Sequence, residues 1–170
     1  MTRPFQVRFP TNEIRQWADR YEEDDDAILK LVPVVRERGF LTKDEFLTVC
    51  RWKTARSQSR CRKNSEEFIR EVTACALNIS GERLRIGVLT LLSGVAWPTA
   101  SVILHFFHSD AYPILDFRAL WSLNTAVPLQ YDFDFWQKYT SCCRQLCKRA
   151  IVEMRTLDRA LWQFSKENPS

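Results

Sequence analysis

ERLRIGVLTLLSGVAWPTASVILHFFHSDAYPILDFRALWSLN, residues Glu82 to Asn124, is the stretch on which the fold turns. Apolar residues recur at helical spacing on both sides of Ser93 to Trp97, a tight segment whose small residues break both helices. The spacing predicts a first helix from about Glu82 to Leu92 that turns Leu84, Val88, Leu91 and Leu92 to the core, with Gly94 closing it. Pro98 suits the first turn of the next helix, where its missing N–H needs no partner. Ala100, Val102, Ile103, Leu104, Phe106 and Phe107 cover almost the whole circumference of that helix, which predicts a buried rod. A short loop then delivers Asp116 to the mouth of a third helix. Such a hairpin turns backbone N–H groups outward at a helix N-terminus, which suits an anion such as a phosphate.

The same periodicity extends outward. Glycine is scarce at four residues and alternating β-branched runs are hard to find, so the fold class is all-α. At 170 residues with 45% hydrophobic residues, the chain is expected to form one domain with a real core. No Rossmann or P-loop glycine pattern appears. Thr11 or Asn12 is placed to cap a helix carrying Ile14, Trp17, Ala18 and Tyr21, and the acidic run Glu22 to Asp26 precedes a second helix, Ala27 to Arg38, kinked at Pro33 and stopped by Gly39. Thr42 with Glu45 forms a capping box for a third helix holding Phe46, Val49 and Cys50. Residues 54–63 read as a polar basic loop or frayed helix end. Asn64 or Ser65 starts a helix through Asn78 with Phe68, Ile69, Val72, Cys75, Ala76 and Ile79 inward. After Pro128, Asp132 or Asp134 caps a long helix to about Met154 with Cys143, Leu146, Ala150, Ile151 and Met154 buried, and Thr156 or Asp158 opens a last helix ending near Glu167.

The formal charge of +4 is too mild for a passive coat on a polyanion, but the charges are segregated. Arg51, Lys53, Arg56, Arg60, Arg62 and Lys63 form a basic run without an acidic residue, which fits a phosphate backbone as well as a solvated helix end. The N-terminus lacks an apolar signal region and no apolar run approaches the roughly 20 residues of a membrane span. A cytoplasmic protein without membrane contact is expected. Of the six cysteines, Cys142, Cys143 and Cys147 match neither zinc-ribbon nor iron–sulfur spacing, so they are expected as buried thiols and no metal is expected.

The residues LLSGVAWPTASVILHF followed by YPILDFRALWSL resemble the core of the helix–hairpin–helix DNA glycosylase superfamily, which includes endonuclease III and the adenine glycosylase. Leu92, Gly94, Val95, Thr99 and Ala100 match its hairpin, and Pro113-Ile114-Leu115-Asp116 matches the segment ending in its catalytic Asp. The resemblance covers about forty residues. It implies a helical barrel with a second small lobe formed by the chain ends. It also implies a monomeric enzyme that acts on double-stranded DNA containing a damaged or modified base. Ala96 replaces the second hairpin glycine, restricting the backbone. Pro98 stands where bifunctional members carry a Schiff-base lysine, so a monofunctional hydrolase is implied. The family's four-cysteine spacing is absent, so no iron–sulfur cluster is expected, although a monovalent cation on the hairpin is compatible with the pattern. On the adenine glycosylase's active-site helix, its catalytic Glu falls near Val49, so that enzyme's base protonation does not carry over.

By this resemblance Asp116 is the catalytic carboxylate, stabilising an oxocarbenium-like sugar or directing water at it. Asp before FRAL is also an ordinary N-cap, and the two roles are compatible. Gly94, Val95, Ala96, Trp97 and Thr99 of the hairpin, with Lys53, Arg56 and Arg118, are the expected DNA contacts. Trp52 and Tyr112 are the expected base-pocket walls, with Trp97, Phe117 and Trp121 as further aromatic candidates. A noncatalytic helix–hairpin–helix DNA-binding module is the alternative, and a helical protein-interaction domain a third. His105 and His108 read as core or helix-end residues rather than ligands.

Overall fold

Local capping chemistry sets where the helices begin. In the computed structural model, which describes residues 5–169, there is no strand among the described residues and the chain is all-α. Thr42 caps α4, here Lys43–Lys53, by accepting from the Glu45 N–H while Glu45 reaches back to the Thr42 N–H, the full capping box. Ser65 caps α6, Glu66–Asn78, and Asp132 caps α10, Phe133–Ala150, by the same side-chain bond. The remaining helices are α1, Ile14–Asp19; α2, Asp26–Leu29; α3, Val32–Arg38; α5, Gln58–Cys61; α7, Glu82–Leu89; α8, Trp97–Phe107; α9, Phe117–Ser122; and α11, Met154–Glu167. No helix among the described residues is long and apolar enough to cross a membrane.

The chain divides into two compact units, Asp24–Asp110 and Met1–Glu23 with Ala111–Ser170. The division falls inside the 82–124 stretch, between Asp110 and Ala111. In the first unit α8 runs through the middle, with Thr99 to Leu104, Phe106 and Phe107 all buried, and α3, α4, α6 and α7 packed on it. Arg36 of α3 holds the end of that rod, donating from Nε to the Phe106 carbonyl at 3.2 Å and from Nη2 to the His108 carbonyl at 3.4 Å. In the second unit α11 packs on α1, α9 and α10. Phe164 of α11 meets Phe9 at 4.6 Å, Trp17 at 5.0 Å and Trp121 at 5.8 Å between ring centroids.

Several expected elements differ. The helix expected over 27–38 is two, because Pro33 cannot donate inside a helix and takes the first turn of α3. Side-chain caps from Thr11 and Asn12 are missing; a 3-10 turn, Thr11–Glu13, leads into α1 instead. Of the residues expected to bury on and just after α7, Leu92 is buried but Leu84 is 54% and Leu91 63% exposed, and the helix buries Ile86 and Leu89 instead. Phe68 of α6 is likewise 37% exposed rather than inward. The long helix stops at Ala150, Ile151 is 81% exposed rather than buried, and the last helix starts at Met154.

Candidate functional site

In the unit 24–110 the turn between α7 and α8 is built around Gly94, whose φ of +84° is a left-handed conformation open mainly to glycine. The Val95 N–H donates to the Leu92 carbonyl at 3.1 Å and closes the turn. A side chain at position 94 has no room: a Cβ there would lie 2.6 Å from Cys61 Sγ and 2.9 Å from the Cys61 backbone N. Asn64 clamps the turn from the same side. Its Oδ1 accepts from the Ser93 N–H at 2.8 Å, and its Nδ2 donates to the Ser93 and Cys61 carbonyls, both at 2.9 Å.

The basic segment, expected as a loop or frayed helix end, forms short helical turns that buttress the hairpin. It forms a 3-10 turn, Ala55–Ser57, and α5, with Ser57, Cys61 and Asn64 buried and Arg56, Arg60, Arg62 and Lys63 exposed. On the hairpin, Ala96 is exposed and Trp97 half-buried, but the side chains of Val95 and Thr99 are buried, at 7% and 3% exposure. The expected DNA contacts of Val95 and Thr99 therefore do not involve their side chains, and the Val95 N–H is already given to the Leu92 carbonyl. In the first turn of α8, Pro98 has no N–H and the Ala100 N–H donates to the Ala96 carbonyl at 2.9 Å. Lys53 is half-buried at the end of α4. Trp52 is held within this unit, donating Nε1 to the Asp24 carbonyl at 3.2 Å and meeting Phe106 edge-on at 5.5 Å.

In the other unit, Asp116 has extended backbone angles and caps α9, its Oδ1 accepting from the Arg118 N–H at 2.9 Å. The segment before it is pinned by buried Tyr139, which donates to the Ile114 carbonyl at 2.6 Å. Asp116 is half-buried and Phe117 beside it is 59% exposed. The Arg118 guanidinium lies over the rings of Phe117 at 5.2 Å and Trp162 at 5.3 Å. Burial raises the Tyr131 phenol above its ordinary range, and the negative charge of Asp116 adds to the shift. The same two causes, burial first, with Cys143, Asp158 and Asp116 contributing, push the Tyr139 phenol well up.

Tyr112 does not line an opening. It is fully buried, stacked on Trp136 at 5.7 Å and 15°, with the Arg144 guanidinium 4.7 Å from its ring. Its expected place in a base pocket is corrected: the ring is core. Trp121 is used in packing on Phe164.

No protein-family model, curated protein or solved structure matches the chain.

The six cysteines are free thiols, and no group of three or more metal-ligating side chains stands together among the described residues. Burial raises the Cys50 thiol, with Cys61 beside it adding to the effect, and pushes the Cys147 thiol up to about 11. Such thiols are neutral at ordinary pH and poor nucleophiles. Three functional candidates escaped the sequence. Asn64 looks like an ordinary helix-start residue, because its partner Ser93 is distant in sequence. Tyr131 and Tyr139 carry no local pattern linking them to Asp116.

Proposed function

We propose that the chain is a monofunctional DNA glycosylase of the helix–hairpin–helix type, a helical barrel with a second lobe, acting on a damaged or modified base. The carrying observation is the hairpin: a glycine at φ +84°, with Ser93 before it clamped by Asn64, leading directly into the N-terminus of the buried rod α8. That is a rigid cradle for a phosphate. Ala96, Trp97, Lys53 and the exposed Arg56 supply the remaining contacts of this unit, and Arg118 is a DNA contact of the other.

A base inside a duplex is inaccessible, so the nucleotide is extruded at a cost of a few kcal/mol that backbone contacts offset. The bond between the sugar C1′ and the base nitrogen then breaks, its electron pair leaving with the base. Water bonds C1′ through its oxygen, and the proton it loses ends on the departing base nitrogen, leaving a sugar hydroxyl and a neutral base. Asp116 stabilises the positive charge that develops on the sugar or orients that water. Its N-cap bond uses one oxygen edge and fixes the carboxylate rather than disabling it. That same bond is what favours the second reading, a noncatalytic DNA-binding module in which Asp116 only caps α9.

Single-turnover base release from duplexes carrying a panel of lesions and modified pyrimidines tests the proposal. Asp116→Asn keeps the cap acceptor but loses the charge, so release is expected to fall by about 100-fold or more with DNA affinity retained. A wild-type chain that binds DNA yet releases no base from any duplex supports the binding module instead.

A further inference from the structure

α10 ends in an unusual way. The Val152 N–H donates to the Cys147 carbonyl at 3.1 Å, the long backward bond of a Schellman closure, and the residue that must turn left-handed there is Ile151, at φ 52° and ψ 53°. Glycine or asparagine is the usual occupant. A β-branched residue in this region is a steric outlier. Ile151 gains no burial in return, since it is 81% exposed. Arg15 fixes the turn by donating from Nη2 to the Ile151 carbonyl at 2.6 Å.

Around this turn lies an open groove of about 740 Å³ lined by Arg15, Cys147, Lys148, Ile151, Val152 and Glu153, and an adjoining hollow of about 210 Å³ brings in Asn12 and Arg149. The charged lining is three cations, Arg15, Lys148 and Arg149, against the single carboxylate Glu153. Cys147, Ile151 and Val152 are its apolar lining. α10 has 18 residues, so the groove lies about 27 Å along its axis from the end beside Tyr131, whose phenol feels Asp116. It is a separate site from the candidate carboxylate.

We infer that this groove docks a short acidic peptide segment of a partner protein, an aliphatic side chain of which packs on Ile151 while its carboxylates meet Arg15, Lys148 and Arg149. The volume suits a ligand of a few residues. A duplex is too broad to enter such a groove, and an apolar knob gains nothing from phosphate oxygens. A strained, exposed isoleucine is accounted for when a partner covers it. The inference stands independently of the glycosylase reading.

Panning a displayed library of short random peptides on the full chain, then measuring a selected synthetic peptide by fluorescence anisotropy, tests it. The expected winners carry two or more Asp or Glu flanking Leu, Ile or Val. Ile151→Gly relieves the left-handed strain, so Tm is expected to rise by about 2–4 °C while peptide affinity falls about tenfold. Lys148→Glu with Arg149→Glu is expected to lower affinity by at least tenfold as well. The inference is overturned by no enrichment, by winners without an acidic excess, or by equal affinity for both variants. Displacement of the peptide by a short DNA duplex also overturns it and assigns the groove to nucleic acid.

Discussion

Gly94→Ala tests whether the hairpin is as tightly specified as its geometry indicates. At φ +84° an L-residue costs about 1–2 kcal/mol relative to glycine. The new methyl would also sit 2.6 Å from Cys61 Sγ, 2.9 Å from the Cys61 backbone N and 3.1 Å from the Ser57 carbonyl oxygen. The thiol can swing away; the two backbone atoms belong to a buried turn and cannot. Overpacking of this kind costs about 1–3 kcal/mol, so the total is about 2–5 kcal/mol. For a chain of this size that corresponds to a Tm drop of about 4–20 °C. Urea denaturation followed by circular dichroism reads the loss directly. Gly87→Ala is the control, because a Cβ there meets nothing within 4 Å and the residue lies inside α7, where alanine is expected to add about 0.5–1 kcal/mol. Adding Cys61→Ala to Gly94→Ala should restore only part of the loss, since the backbone clash persists. A Gly94→Ala chain that unfolds at the parent's midpoint refutes the reasoning and means that the hairpin yields cheaply.

Asn64→Ala removes both bonds to Ser93 and the one to the Cys61 carbonyl, so a loss of about 1–3 kcal/mol is expected in the same denaturation assay, and under the proposed function a weaker duplex affinity at low salt. Tyr139→Phe strands the Ile114 carbonyl and is expected to cost about 1–2 kcal/mol near neutral pH; an unchanged midpoint would show that water replaces the phenol. Stability should also fall in alkali. The Cys143 thiol and Tyr139 phenol are held above their ordinary values of 9.0 and 10.0, chiefly by burial, so the unfolded chain ionises first. Their contribution is whole below about pH 9 and is lost as pH climbs toward the folded values. Titrating the urea midpoint from pH 8 upward checks this, and Tyr139→Phe should flatten the decline; a midpoint that holds level across the range contradicts it.

What the sequence determined by itself was the chemistry that acts within a turn or two of chain. The capping box of Thr42 and Glu45, the Asp116 and Asp132 caps, the Gly39 stop and the place of Pro98 all depend on neighbours within four residues, and each is present in the structure. The all-helical class and the buried rod α8 followed from periodicity in the same way. What only the tertiary structure decided was which of two competing surfaces wins. α7 offers an apolar stripe at Leu84, Val88 and Leu91 and another at Ile86 and Leu89, and periodicity cannot choose between them; contact with α6 and α8 buries the second. Tyr112 could have faced a cavity, but Trp136 from α10 supplies a flat partner and takes it into the core. Asn64 becomes the hairpin's clamp only when Ser93, 29 residues on, is folded against it, and Ile151 breaks α10 where a fitting helical stripe would have carried on. In each case the deciding partner is distant along the chain, and the free energy of packing against it outweighs any local preference.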